Sequence, residues 1–124
     1  MSVAGPDFVA LQVRNLEEAA NFYECRLGLR RAAASPPGAV VFDTTPIPFA
    51  VREPLLGVDL DAPGARLGLG VALWLRADDA EALHEALEAA DIRILTPPFD
   101  SPFGRTFTFA DPDGYAVTVH DGGR

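Results

Sequence analysis

Few side chains in this sequence could do chemistry as a nucleophile or general base. The sequence contains two histidines, His84 and His120, and one cysteine, Cys25. His120 lies two residues after Thr118 in an alternating run, so both face the same side of a strand, where a histidine can act as a general base. The adjacent carboxylate, Asp121, points to the other face and cannot orient the imidazole. His84 lies beside an apolar helical stripe, which favours a surface or interface position.

The remaining reactive groups do not form a catalytic set. Cys25 lies in a predicted helix, with Arg26 as the nearest group that could lower its thiol pKa, so we expect a buried or half-buried structural cysteine. No Ser-His-Asp set, phosphate-binding loop or pair of carboxylates can be assembled from the sequence. We therefore assign no catalytic residue.

Composition excludes several classes of protein. The chain of 124 residues has 10 basic and 18 acidic residues, a net charge of −8, and every basic residue is Arg. A protein that binds duplex DNA needs a cationic surface, so nucleic acid is not an expected partner. No apolar run approaches the roughly 18 residues that span a bilayer, and no basic and apolar leader precedes the chain's first strand. A lone cysteine allows no internal disulfide. We expect a soluble, cytoplasmic protein without membrane contact.

The last part of the sequence predicts a β-hairpin. Between 103 and 110, Phe and Arg alternate with small or hydroxyl residues, which is the period-two pattern of a strand. Asp111-Pro-Asp-Gly114 then predicts a turn, because proline presets one torsion angle and glycine accepts a positive φ. The alternating run 115–119 is rich in β-branched residues and completes the hairpin.

The rest of the chain reads as two similar halves. The first half predicts a strand over 8–13, a helix from Asn15 to Gly28, a weak strand over 29–34, and strands over 39–42 and 47–52, where Pro48 suggests an edge or a bulge. The second half predicts a strand over 69–75, a helix over 80–90 capped by 78–79, a strand over 92–95, a rigid loop over 96–102, and the hairpin.

Each half therefore has the order β-α-β-β-β, and a Pro- and Gly-rich linker separates them. We predict an α+β fold in which tandem βαβββ modules form a curved mixed-sheet cup. The expected organisation is a single domain over 1–124, made of module 1–55 and module 66–121.

Several motifs resemble those of the vicinal oxygen chelate superfamily, which includes glyoxalase I, bleomycin- and fosfomycin-resistance proteins and extradiol dioxygenases. The resemblance covers nearly the whole chain and supports the tandem fold. In the first half it rests on a V-x-N-L segment at the start of the helix (Val13–Leu16) and on F-Y and L-G pairs within the helix (Phe22–Tyr23 and Leu27–Gly28). In the second half it rests on F-G-R before the hairpin (Phe103–Arg105) and on the D-P-D-G turn (Asp111–Gly114).

The resemblance implies four strand positions that normally hold a divalent metal. In this sequence they are Phe8, Ala50, Ala72 and Thr118. Phenyl and methyl groups have no lone pair for a metal, and a threonine offers only a neutral hydroxyl. Of the neighbouring positions, only Asp7 carries a possible ligand. We therefore expect no metal and no cofactor.

What remains on the predicted cup face suits a flat, partly apolar ligand. Aromatic residues offer π-faces, small residues leave space, and polar side chains can orient a bound molecule. The predicted ligand-binding residues are Phe8, Gln12, Ala50, Ala72, Trp74, Phe103, Thr118 and His120. Alternatively, Trp74 and Phe8 simply fill the cup as packing.

The resemblance to the metal-free, bleomycin-resistance-like branch implies a homodimer that binds and sequesters a small aromatic or cationic compound, such as an antibiotic. The apolar residues Leu55, Leu56, Leu67 and Leu69 near the linker also suggest a covered surface. The alternatives are a lyase, isomerase or dioxygenase that uses His120, Glu53 or a metal, and a dimeric scaffold with a filled cup.

Overall fold

The computed structural model describes residues 1–122 and divides into two compact units, residues 1–65 and a second unit that begins at Arg66. The first unit contains β1 (Val9–Gln12), α1 (Leu16–Cys25), β2 (Ala39–Phe42) and β3 (Phe49–Arg52). The second contains β4 (Leu73–Arg76), α2 (Ala80–Ala89), β5 (Ile94–Ser101), β6 (Gly104–Ala110) and β7 (Ala116–His120). This is an α+β fold with a mixed sheet in each unit.

The sheet of the first unit has the order β1-β3-β2, with β1 parallel and β2 antiparallel to β3. Helix α1 begins where the Asn15 side chain accepts a hydrogen bond from the Glu18 N–H (3.0 Å), as the capping pattern predicts. It ends before Gly28, which has the expected positive φ of 74°. The ring of Tyr23 packs against Phe49 and Phe42, with centroid distances of 5.0 and 6.3 Å, and forms the core.

The sheet of the second unit has the order β4-β7-β6-β5, with β4 parallel to β7 and the other pairs antiparallel. Helix α2 begins at Asp79, whose carboxylate accepts from the Ala82 N–H (3.0 Å), again as predicted. The core on the helix side consists of alternate residues of β6 and β7 together with Leu87, and all five are buried: Leu87, Phe107, Phe109, Val117 and Val119. The predicted D-P-D-G hairpin is confirmed.

Two strand predictions in the first unit were wrong. The weak strand over 29–34 is reduced to a single bridge between Arg31 and Phe42. Pro48 lies neither at a sheet edge nor in a bulge, because β3 starts one residue later and is the central strand. The Pro48 carbonyl instead accepts a hydrogen bond from the Val9 N–H (3.3 Å), so a residue without an N–H still contributes to strand pairing.

Two strand predictions in the second unit also need correction. The predicted rigid loop over 96–102 is mostly strand, since β5 extends to Ser101. Its two prolines are tolerated because β5 is an edge strand and its register shifts between Thr96 and Phe99. The strand predicted from 69 starts later, at Leu73, because Gly68 and Gly70 adopt positive φ values in the preceding turns.

The environment predicted for Cys25 was wrong. Cys25 is exposed rather than buried or half-buried, because it lies off the apolar stripe of α1 that contacts the sheet. His84 packs its ring on Phe107 at a centroid distance of 5.4 Å and so borders the core instead of a free surface, and the alternative of an interface position stays a prediction. Among residues 1–122, no helix is long and apolar enough to cross a membrane.

Candidate ligand-binding site

The second sheet has one face without a helix, and this helix-free face holds the candidate site. Side chains alternate along a strand, so the residues between the buried members of β6 and β7 point away from α2. The helix-free face carries residues of three adjacent strands: Trp74 of β4, Thr118 and His120 of β7, and Thr106 and Thr108 of β6. Strand pairing sets Trp74 opposite Thr118 and Thr118 opposite Thr108, which makes a continuous row across the sheet.

Three rings form an aromatic cluster at one end of this face: Trp74, Phe103 and His120. Their centroids lie 5.7 Å (Trp74–Phe103), 5.8 Å (Trp74–His120) and 6.2 Å (Phe103–His120) apart, in tilted or edge-to-face geometry. His120 is buried at 9% exposure, whereas Trp74 and Phe103 remain 44% and 47% exposed. Large apolar rings that stay half-exposed while held in fixed contact are available to a ligand.

The backbone around Phe103 holds the aromatic cluster in place. Its carbonyl accepts a hydrogen bond from the Gly122 N–H (2.7 Å) and lies 3.1 Å from Nδ1 of His120. Glycine is needed where these segments meet, because a Cβ at Gly122 would lie 2.2 Å from the Phe103 oxygen. A Cβ at Gly104 would lie 2.3 Å from the Gly122 nitrogen. The turn that carries Phe103 is therefore fixed to the segment after β7.

Hydroxyl groups line the face beside the aromatic cluster. The Thr108 and Thr118 hydroxyl oxygens are 2.8 Å apart, and those of Ser101 and Thr106 are 2.7 Å apart. The Thr106 hydroxyl can also donate to the Gly104 carbonyl (3.0 Å). Within the Thr108–Thr118 pair, one hydroxyl donates its proton to the other oxygen, and the proton of the accepting hydroxyl remains free to donate elsewhere. The hydroxyl positions of this face are thus polar and uncharged, whereas Arg76, which shares the face with Trp74 and pairs with His120 in register, is a cation.

Asp121 stabilises the unit and does not orient His120. Its carboxylate accepts hydrogen bonds from the Ala80 N–H at the start of α2 (3.0 Å) and from the Arg105 N–H (2.9 Å). These two backbone bonds, the first being the larger cause, lower the pKa of Asp121. The Arg105 guanidinium bonds to Glu81 (2.9 Å) and Asp100 (3.2 Å), which raise its pKa, Glu81 most. Asp121 therefore faces the helix side, as the strand parity predicts.

The sequence from residue 5 to residue 119 matches the family model described as the glyoxalase/bleomycin resistance protein/dioxygenase superfamily. The chain belongs to this superfamily. This match confirms the resemblance that the sequence motifs indicated. No curated protein sequence is significantly similar to the chain.

Several solved structures share the fold at low sequence identity. The antibiotic-binding protein TnmS3 from Streptomyces sp. CB03234 is similar with a TM-score of 0.75 and 21% identity over 99% of both chains. A lactoylglutathione lyase from Agrobacterium tumefaciens has a TM-score of 0.69 and 22% identity over 98% of this chain and 96% of its own. The fosfomycin resistance protein FosX from Mesorhizobium loti has a TM-score of 0.68 and 21% identity over 98% and 95%.

The side chains present do not fit the divalent metal that the superfamily resemblance implies. Residues 1–122 contain no group of three or more His, Cys, Asp or Glu side chains that could hold a metal ion. Of the four implied positions, Phe8, Ala50 and Ala72 have hydrocarbon side chains. The Thr118 hydroxyl is already bonded to Thr108. A neutral, internally bonded hydroxyl is a poor substitute for a carboxylate or imidazole ligand.

The structure brings together four of the predicted site residues. Trp74, Phe103 and His120 form the aromatic cluster, and Thr118 lies in register with Trp74. Ala72 is exposed and lies immediately before β4.

The other three predicted residues belong to the first unit. Phe8 is half-exposed and precedes β1, and Ala50 is buried opposite Ala10. The Gln12 side-chain oxygen accepts a hydrogen bond from the Leu55 N–H (2.8 Å), so this acceptor fixes the chain after β3.

Sequence reasoning missed the residues that support the aromatic cluster. Thr106 and Thr108 follow from the same alternation that places Thr118 and His120, so the hairpin pattern contained that signal. The role of Gly122 depends on a contact across 19 residues with Phe103, and no local pattern predicts it.

Proposed function

We propose that this protein binds and sequesters a small planar molecule on the helix-free face of its second sheet, without a metal and without breaking a bond. The observation that carries the proposal is the aromatic cluster: Trp74 and Phe103 are about half-exposed, yet both rings are held in contact with His120. A rigid, exposed aromatic surface lets a ligand stack without first ordering the side chains it meets.

The groups beside the aromatic cluster favour binding over catalysis. The hydroxyls of Thr108 and Thr118 can orient a polar ligand atom through their one free proton. The carboxylate of Asp121, which could stabilise a protonated imidazole, is instead bonded to backbone N–H groups on the helix side. The side-chain hydrogen bond of His120 goes to the Phe103 backbone carbonyl and not to a carboxylate.

Two of the similar structures support a small-molecule ligand of the antibiotic type. TnmS3 is described as an antibiotic-binding protein, and FosX as a fosfomycin resistance protein. The aromatic cluster suits a planar, ring-containing compound better than a small, flexible and highly charged one, because two of its aromatic side chains are about half-exposed.

A thermal-shift screen tests the proposal. The protein, purified without chelator, is heated with aromatic antibiotics and planar metabolites, and elemental analysis is run on the same preparation. A ligand at 100 times its Kd stabilises the folded state by about 2.7 kcal/mol, which gives a clear rise in Tm. We expect planar compounds to raise Tm and quench Trp74 fluorescence with less than one metal ion per chain. One equivalent of metal, lost together with an enzymatic activity, would contradict the proposal.

We further propose that the protein is a homodimer. Several large apolar side chains in the segment that follows β3 and precedes β4 in the sequence are exposed, including Leu55, Leu56, Leu69 and Val71. Such side chains are commonly covered by a partner chain. Light scattering at micromolar concentration should give twice the chain mass of 13.2 kDa. A monomer under these conditions would refute the dimer while leaving the ligand site intact.

A further inference from the structure

The imidazole of His120 is held in one tautomer by its backbone partner. Nδ1 lies 3.1 Å from the Phe103 carbonyl oxygen, which also accepts the Gly122 N–H. A carbonyl oxygen can only accept, so Nδ1 must carry the proton in this contact. In a neutral imidazole with a protonated Nδ1, Nε2 is an acceptor with a free lone pair.

Nε2 of His120 is available to a ligand. Within residues 1–122, His120 makes no hydrogen bond other than the one from Nδ1, and the only buried polar side-chain atom without a partner there is Nδ1 of His84. Nε2 is therefore neither bonded nor fully enclosed. It belongs to a ring in contact with Trp74 and Phe103, the two half-exposed rings of the aromatic cluster.

We infer that Nε2 of His120 determines ligand specificity by selecting planar aromatic compounds that carry an N–H or O–H donor on the ring. The inference rests on the proposed function and names its ligand class. The neighbouring hydroxyls of Thr106 and Ser101 can satisfy each other and the Gly104 carbonyl, whereas Nε2 has no partner in the protein. A ligand that reaches Nε2 without a donor leaves a buried acceptor unsatisfied, which disfavours its binding.

A pair of probes that differ in one hydrogen-bond donor tests the inference. Indole has a ring N–H, and 1-methylindole is the same planar ring system with that hydrogen replaced by a methyl group. Each is titrated at about pH 8.5, where an imidazole is ordinarily neutral. Binding is followed by the indole N–H cross-peak of Trp74, the sole tryptophan. We expect indole to bind about fivefold more tightly, the ratio that one net hydrogen bond supplies.

Two variants assign this preference to His120. In His120→Asn, the side-chain amide can still donate to the Phe103 carbonyl, but the acceptor at the Nε2 position is gone. In this variant the ratio of the Kd of 1-methylindole to the Kd of indole should fall to the value that the added methyl group alone produces. His84→Asn is the matched control, because His84 packs on Phe107 on the helix side, and it should retain the wild-type preference.

The outcomes separate the inference from the proposed function. If both probes bind the wild type equally, or if His120→Asn keeps the preference for indole, the inference is wrong and the proposed function stands. If neither probe shifts the Trp74 cross-peak at millimolar concentration, both fail. A long-range ¹H–¹⁵N spectrum of the unmodified protein reads the tautomer without any variant. We expect a protonated Nδ1 and a bare Nε2, and a protonated Nε2 would overturn the inference.

Discussion

Replacing Trp74 with Ala distinguishes a ligand-binding ring from a packing ring, and the structure sets the size of both effects. Trp74 is 44% exposed, so a little over half of its surface is covered. With about 250 Å² for a large aromatic side chain, about 140 Å² is buried, which contributes at most about 3.5 kcal/mol. Residual burial in the unfolded chain reduces this to about 2–3 kcal/mol. Trp74→Ala should therefore lower the free energy of unfolding without abolishing the fold.

The effect on affinity comes from the exposed part of the same ring. About 110 Å² is open, and a planar ligand that covers half of it gains about 1.4 kcal/mol from apolar burial. Stacking geometry adds about 0.5–1.5 kcal/mol. The loss of about 2–3 kcal/mol in Trp74→Ala corresponds to at least about thirtyfold weaker binding. Trp74→Phe keeps a smaller ring and should lose only part of this.

The assay measures stability and affinity on the same samples. Urea unfolding gives the folded fraction of each variant, and calorimetry with the tightest-binding compound of the thermal-shift screen gives Kd per folded molecule. Calorimetry is needed because the substitution removes the fluorescent reporter. If Trp74→Ala is destabilised by about 2 kcal/mol but its folded fraction binds with unchanged Kd, then Trp74 is packing and the assignment of the site is wrong.

Three further predictions follow from other contacts. Gly122→Ala places a Cβ 2.2 Å from the Phe103 oxygen and should cost about 1–3 kcal/mol in urea unfolding and weaken ligand binding. In Gly114→Ala the added Cβ would meet no atom within 4 Å, so this variant should lose stability but not affinity. Equal losses of affinity in the two glycine variants would refute the role of Gly122 in holding the aromatic cluster. Since the folded-state pKa of Asp121 is lowered, its stabilisation is present above the ordinary carboxyl value of 3.8 and is lost as pH falls through the folded value. The Tm deficit of Asp121→Asn should therefore shrink below that pH, and a deficit that persists in acid would contradict this origin. Cys25 is exposed, so its thiol should react with a disulfide reagent in the folded protein, and reaction only on unfolding would show it to be buried.

Strand alternation allowed much of the candidate site to be predicted from the sequence. Because successive side chains point to opposite faces, the spacing of Thr118 and His120 was enough to place both on the face away from α2. The same rule applied to β4 placed Trp74 beside them. These predictions needed only a correct strand assignment, and the turn residues around Gly114 supplied it.

Predictions failed where a tertiary contact or edge position overrode the local pattern. The prolines between Thr96 and Phe99 suggested a loop. However, β5 is an edge strand with a shifted register at this point, so the N–H groups that proline lacks are not needed for strand pairing there. Cys25 was expected to be buried or half-buried in its helix, but it is two residues from buried Tyr23 and so lies on another side of α1. The hydrogen bond between His120 and the Phe103 carbonyl joins the end of β7 to the turn between β5 and β6, and no sequence period relates these two segments.

The residue at position 118 bears both on the metal site that the resemblance implies and on the proposed binding. A carboxylate there would hold a strong hydration shell, and an uncharged planar ligand would have to remove it with no metal in place to compensate. Thr118 instead bonds to Thr108, so the pair is already satisfied except for one donor proton. Covering such a pair costs little, and the adjacent half-exposed Trp74 gains apolar burial from the same event. Thr118, a poor ligand for a divalent ion, is thus compatible with the proposed aromatic ligand on this face.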